Sequence, residues 1–328
     1  MFQASDIAVS GGTSEQEPSA TERGVSGDRV WSVLIGVLGG VVLVVAGLIL
    51  FILVRLSRPA FETLSLGRFL VGTDWDPVSE SFGALPFVYG TLVTSVIALG
   101  VALPVSLGLA VFLSEMAPKW LRPIVTFGIE TLASIPSVVY GLWALFILVP
   151  WLRETLEPLL ARVLGFLPVF QGPPLGLGYL AAGLVLAVMI LPTISSVCVE
   201  VLKTVPSSLR EGALALGATR WEAIWTVILP FSRAGLLGAA LLGLGRALGE
   251  TMAVTMVIGN QPELHSSLFS PGYSLPSVIA NEFAEATSAT HTGVLAALAL
   301  VLFGITVLLN SLARLLMHSM SRGAGRRA

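Results

Sequence analysis

From Val30 to Val54 the chain carries no Asp, Glu, Lys or Arg, and Ser32 is its only polar side chain. An α-helix rises about 1.5 Å per residue, so a run of this length crosses a bilayer core of roughly 30 Å. Five further runs follow at 85–113, 123–149, 177–201, 234–258 and 292–314. In hydrocarbon every backbone N–H and C=O needs a partner within the protein, which leaves helices or closed barrels. Runs this long and this continuously apolar point to helices. The expected fold is an all-α membrane protein with six transmembrane helices, multi-pass in a lipid bilayer. Composition agrees, with 55% of the 328 residues hydrophobic and 12% charged, far from an ordinary soluble domain.

Several function classes fall away at once. A net charge of -2 gives no electrostatic footprint for nucleic acid. The single cysteine, Cys198, lies inside an apolar run and reads as a small core residue rather than a metal ligand. His265, His291 and His318 are scattered without ligand spacing, so no metal site is expected. A P-loop needs Gly, four residues, then Gly-Lys-Ser/Thr. The only lysines follow Pro118 and Leu202, so the chain is not expected to be an enzyme that hydrolyses ATP or to hold a cofactor.

The polar segments organise the rest. Residues 1–29, rich in Ser, Gly, Glu and Thr, read as a disordered cytoplasmic tail, too long and acidic for a signal peptide. Residues 30–318 form the six-span domain, and 319–328 a basic tail with Arg322, Arg326 and Arg327. Phe61, Phe69 and Trp75 interleave with the charges of 55–84, suggesting an interfacial segment. With the N-terminus inside, twelve Lys and Arg fall in cytoplasmic segments against five outside. Both termini and the polar insert at 207–230 are therefore expected in the cytoplasm.

That insert carries its own helix signals. Ser208 with Glu211 reads as a capping box, and Thr219 with Glu222 as a second. Leu209, Ala213 and Leu216 share one helical face, and Gly217 fits a helix stop. Two short helices are expected, with Trp221, Ile224 and Trp225 on the second and Pro230 opening the next span. A surface hairpin without a partner is the plain alternative. A DNA-binding helix-turn-helix is rejected, because the bilayer is a few residues away on both sides.

The segment Glu211, Gly212, Ala213, then Gly217, then Val227, Leu229 and Pro230 resembles the EAA loop of ABC-importer permeases in spacing throughout. Gly212 replaces an alanine and Val227 an isoleucine. The resemblance implies a coupling helix that fits a groove on an ATPase subunit. Leu209, Ala213, Leu216 and Trp221 would touch that subunit, while Glu211 and Gly217 would set the loop's shape; Gly212 belongs to the same coupling segment.

Two charges lie within the fifth run. Arg246 sits near its middle, where a charge costs on the order of 3 kcal/mol, and Glu250 follows one turn later. One reading is a structural ion pair, with Glu130 or Glu200 as further candidate partners. The other is an anion pathway in which Arg246 meets the anion and Glu250 keeps it from binding too tightly. The run GRALGETMAV from Gly245 to Val254, and SIPSVVYGLWALF from Ser134 to Phe146, are similar to the phosphate-specific ABC permeases of the PstC type. That resemblance implies the type I ABC-importer (MetI-like) fold and places Arg246 and Glu250 on a phosphate pathway, with Glu130 as a candidate partner. It also implies a second homologous permease subunit forming a heterodimer, a cytoplasmic ABC ATPase dimer, an extracytoplasmic phosphate-binding protein, and a bacterial plasma membrane. A permease for molybdate, sulfate or phosphonate, and a secondary transporter or channel, remain as alternatives.

Overall fold

The structure, a computed structural model, describes residues 24–324, so the expected tail at 1–23 and the last residues, 325–328, lie outside the described residues. The chain divides into two compact units, with a boundary between Ile52 and Leu53. The first unit holds most of α1 (Gly24–Leu56), a continuous apolar helix. Its start at Gly24 takes in 24–29, which the sequence reading assigns to the tail.

The second unit opens with α2 (Arg58–Thr63), α3 (Leu66–Val71) and a small antiparallel pair, β1 (Trp75–Asp76) and β2 (Ser81–Phe82). Next come α4 (Leu85–Val111), α5 (Leu121–Ser134), α6 (Ser137–Trp143), α7 (Val149–Trp151) and α8 (Glu157–Leu164). After α9 (Tyr179–Lys203) the insert supplies α10 (Ser207–Ala215) and α11 (Arg220–Ala223). The chain finishes with α12 (Leu229–Gly249), α13 (Met252–Val257), α14 (Leu275–Glu282) and α15 (Ala289–Ala324).

Prolines explain much of the irregularity. Among the described residues π-helical turns occupy Phe112–Met116, Ala144–Leu148, Leu152–Leu156 and Ile224–Ile228. Each ends two residues before a proline, namely Pro118, Pro150, Pro158 and Pro230. Proline lacks an N–H and its ring collides with the carbonyl four residues back. At Pro150, Pro158 and Pro230 a locally widened turn relieves both problems without ending the helix, whereas before Pro118 the helix stops at extended Ala117. The chain thereby forms unbroken rods at Ser137–Leu164 and Arg220–Gly249.

Six helices are long and apolar enough to cross a membrane: Trp31–Leu56, Leu85–Met116, Ser137–Leu164, Tyr179–Lys203, Arg220–Gly249 and Ala289–Leu315. Two differ materially from the sequence reading. The third run, expected at 123–149, breaks where Ile135 and Pro136 are extended, and its crossing helix starts at Ser137. A residue before proline is pushed out of the helical region, which accounts for the break. The fifth run, expected at 234–258, begins earlier, as a continuation of the insert, and breaks at Glu250.

The core is organised around α9. Two-thirds (67%) of its apolar window is buried, against 33% for α4 and α15. It packs between α4 and α12, and small residues set the spacing. A Cβ at Gly183 would lie 2.5 Å from Ile97, and one at Gly243 would lie 2.5 Å from Ile194. Close approach of this kind is how helices associate where lipid is as apolar as the protein. A second cluster joins Phe69, Phe82, Phe87, Tyr273, Val294 and Leu298, so the aromatic residues of 55–84 are ordered against α4, α14 and α15.

Candidate functional site: the insert and the broken fifth crossing

The insert holds its shape by local hydrogen bonds. Gly217 has φ +90°, the left-handed conformation that ends α10. The Ala218 N–H donates to Ala213 O (3.2 Å) and the Gly217 N–H to Leu214 O (3.0 Å), the two bonds of a Schellman stop. Thr219 begins α11. Its Oγ1 accepts from the Glu222 N–H, while the Thr219 N–H donates to Glu222 Oε2 at 2.7 Å, a complete capping box. The box expected at Ser208 and Glu211 is not formed. Pro206 occupies the N-cap, so Ser208 already lies inside α10.

No residue of α10 is buried. Leu209, Glu211, Gly212, Leu216, Gly217 and Trp221 are exposed, and Ala213 is half-buried. Leu216 is 92% exposed, an unusual position for a leucine unless something covers it. Leu214 and Trp225 extend this apolar surface beyond the residues picked from sequence. The rings of Trp221 and Trp225 meet edge to face at 5.9 Å and border a groove of about 420 Å³ with Pro104, Gly108 and Met116.

Sequence reasoning missed the tether of this insert. Arg210 Nη2 lies 2.9 Å from Leu202 O at the end of α9 and 2.9 Å from Glu115 Oε1 in the turn that extends α4. One side chain thus links α10 to two crossing helices. Its only trace in the sequence is an arginine in an otherwise mildly polar segment, counted there as a cytoplasmic charge.

On the fifth crossing, α12 ends at Gly249 and Glu250 takes an extended backbone, with ψ 128°. Gly245 and Gly249 weaken the helix just there. Arg246 therefore lies in the last turn of α12, exposed, and its Nη1 donates to Thr193 Oγ1 of α9 at 2.9 Å. Glu250 accepts from the Ala253 N–H at 3.4 Å instead of facing Arg246. Among the described residues Lys203 pairs with Glu200 and Arg210 with Glu115, while His265 and His291 lie against Glu263 and Glu282. Arg246 is thus paired with neither Glu250, Glu130 nor Glu200, and the exposed Glu130 is also unpaired. The structural ion pair, one of the two readings of these charges, is not formed, because the helix break turns Glu250 off the face that carries Arg246.

Elsewhere, Trp75 Nε1 donates to both carboxylate oxygens of Glu282 (3.2 and 3.1 Å), and His291 Nε2 lies 3.0 Å from Glu282 Oε2. His291 stacks on Phe82 at 5.5 Å. This cluster pins α15 and α14 to β1 and β2, which a scattered histidine gives no hint of in sequence.

Comparison with known proteins completes the description. The family of binding-protein-dependent transport system inner membrane components matches residues 102–322. A "Phosphate transport system permease protein PstC" of Xylella fastidiosa (strain Temecula1) is 47% identical over 296 residues, covering 86% of this chain and 91% of that protein. The protein of that description from Pasteurella multocida (strain Pm70) is 50% identical over 275 residues, covering 83% and 85%. The chain belongs to the PstC permease family. Among solved structures it is similar to a bacterial alginate ABC transporter in complex with its periplasmic protein. The TM-score there is 0.58 at 14% identity, over 87% of this chain and 93% of that one. The MetNI methionine ABC transporter gives 0.53 at 19% identity, over 71% and 94%. These structures establish the fold, that of ABC-transporter permeases. The chain is a multi-pass protein of the bacterial inner membrane.

Proposed function

We propose that the chain is the membrane-spanning subunit of an ABC importer that moves inorganic phosphate into the cytoplasm. ATP is hydrolysed on a separate cytoplasmic ATPase dimer, which docks on the insert at 207–230. The other partners are a second, homologous permease subunit and an extracytoplasmic phosphate-binding protein, and both termini are cytoplasmic. The observation that carries this reading is Arg246, unpaired on a crossing helix, in a chain 50% identical to a phosphate transport permease.

The chemistry follows from the geometry. A phosphate ion entering hydrocarbon loses its hydration, and a guanidinium offers planar paired donors that match its oxygens. Because Glu250 does not neutralise Arg246, that capacity is available. Glu250, four residues on in sequence, places a carboxyl group in the same region and limits how long an anion stays. The exposed apolar residues of the insert, Leu209, Leu216, Trp221 and Trp225, supply what a soluble partner needs to grip. Glu130, exposed and unpaired, is a candidate partner to the pathway when the second permease is present.

ATP-dependent uptake of radiolabelled phosphate in vesicles carrying the whole complex tests this reading. Arg246→Gln is expected to abolish uptake with the complex intact. Unchanged uptake would remove Arg246 from the pathway. Competition by molybdate, sulfate or phosphonate at concentrations equal to phosphate would reassign the substrate.

A further inference from the structure

A groove of about 410 Å³ runs between α12 and α15, lined by Gly238, Gly245, Arg246, Asn310, Arg314 and Met317 among others. No carboxylate lines it. Both arginines are exposed. Arg314 makes neither an ion pair nor a side-chain hydrogen bond among the described residues, and Arg246 bonds only Thr193. Two uncompensated guanidiniums therefore share one groove on membrane-crossing helices.

The register brings them together. Successive crossings run in opposite directions, and Gly238 lies beside Met317, whose Sδ is 4.0 Å from the position of a Cβ on that glycine. Arg246 is eight residues beyond Gly238, about 12 Å along the axis, and Arg314 three residues before Met317, about 4 to 5 Å in the same direction. Their backbones are thus offset by about 7 Å along the axis. Side chains on a helix tilt toward its own N-terminus. On antiparallel helices the Cα–Cβ bonds of these two arginines accordingly tilt toward each other along the axis, with the Arg246 guanidinium resting on Thr193 of α9. Gly245, which also lines the groove, leaves it open there, since a Cβ on it would meet nothing within 4 Å. Two cations that line one groove, with no carboxylate beside them, both attract an anion placed between them.

We propose that Arg246 and Arg314, with the Asn310 amide, form one binding site for a phosphate group. Two sources share that chemistry: free phosphate handed on from Arg246, and the headgroup of an anionic phospholipid. The free-ion form rests on the phosphate-importer reading above and adds Arg314 as a second station on the route. The paired forks select a tetrahedral oxyanion over a spherical one such as chloride.

The test uses the complete transporter reconstituted in two membranes, one of phosphatidylcholine alone and one with added phosphatidylglycerol. Wild type, Arg314→Gln, Arg314→Lys and Arg246→Gln are compared for ATP-driven phosphate uptake, and phospholipid retained after detergent extraction is measured. Arg314→Gln is expected to lower uptake about tenfold at unchanged assembly in both membranes, and Arg314→Lys, which keeps the charge and loses the fork, severalfold. This result upholds the free-phosphate source. A loss confined to the phosphatidylglycerol membrane, with retained lipid falling alongside, upholds the site and assigns it to a headgroup. Wild-type uptake and retained lipid in Arg314→Gln overturn the site. If Arg246→Gln still abolishes uptake in that case, the importer reading stands without the site; if neither variant has an effect, Arg246 leaves the pathway as well, and only a wild type without ATP-driven phosphate uptake would overturn the importer reading itself. Should Arg314→Gln fail to assemble, Arg314→Lys and Asn310→Ala carry the same comparison, and wild-type behaviour in both overturns the proposal.

Discussion

Around Tyr179 every space is filled, while around Leu216 the side chains stand in the open. Tyr179 is fully buried, a Cβ on Gly272 would lie 2.2 Å from its ring, and one on Gly90 would lie 2.0 Å from Tyr273 O. In the insert, a Cβ on Gly212 or Gly217 would meet nothing within 4 Å, and Leu216 is 92% exposed. The first region is held by shape, the second by its own hydrogen bonds. A Schellman stop and a capping box let the insert keep two helices in place with hardly any core beneath them. A region built this way leaves apolar side chains in the open, a handle for the partner proposed above.

The contrast breaks hardest at Gly90. Gly90→Val drives a side chain into the Tyr273 carbonyl, where neither backbone has room to yield. No assembled complex should accumulate, read as loss of the protein from purified membranes. Normal yield and uptake would mean that the packing at Tyr179 is looser than its distances imply.

Next in size is Gly217→Val. Nothing blocks the side chain, so its whole cost is conformational, about 1 to 2 kcal/mol for a β-branched residue at positive φ. The complex should assemble while ATP-driven uptake falls about tenfold. Gly217→Asn should retain most activity, because asparagine tolerates that conformation. Gly212→Ala, a helical site with open space, should be silent and serves as the internal control. Equal loss at Gly212 and Gly217 would show that bulk, not backbone shape, matters in the insert.

How much of this was legible in the sequence depended on the range of the interaction involved. The number of crossing helices, the Gly217 stop and the Thr219–Glu222 box are local, and residue type at fixed spacing determines them. The break before Pro136 is also local, and the proline marks an interruption of the run 123–149 in the sequence; length and hydropathy nevertheless favoured one crossing over both sides of it, whereas the crossing helix starts at Ser137. Of the two readings of Arg246 and Glu250, the ion pair is not formed, because four-residue spacing pairs side chains only while the helix continues, and it stops at Gly249. Arg210–Glu115 spans ninety-five positions and His291–Phe82 more than two hundred. Nothing in one sequence encodes such pairings, since they arise when the helices pack.

Arg210 sharpens the comparison at the point where frame and handle meet. Arg210→Ala leaves Glu115, only 14% exposed, without its partner and frees the Leu202 carbonyl. Uptake is expected to fall severalfold while ATP hydrolysis by the assembled complex continues. The charge-exchanged pair, Arg210→Glu with Glu115→Arg, should recover part of the loss. If ATPase activity and uptake fall together in strict proportion, Arg210 serves docking and not transmission.

The smallest expected effect is at Thr219. Thr219→Ala removes one side-chain acceptor at the start of α11 and leaves the Glu222 carboxylate bonded to the Thr219 position's backbone N–H. Losing an N-cap hydroxyl costs about 1 kcal/mol. Because α11 continues through a π turn into α12, fraying is confined to the first turn. Uptake should drop by no more than about twofold, and Thr219→Ser, which keeps the acceptor, should match wild type. A loss as large as that of Gly217→Val would mean that the two halves of the insert do not hold their shapes independently, so that the handle is one rigid unit with its stop and its start coupled.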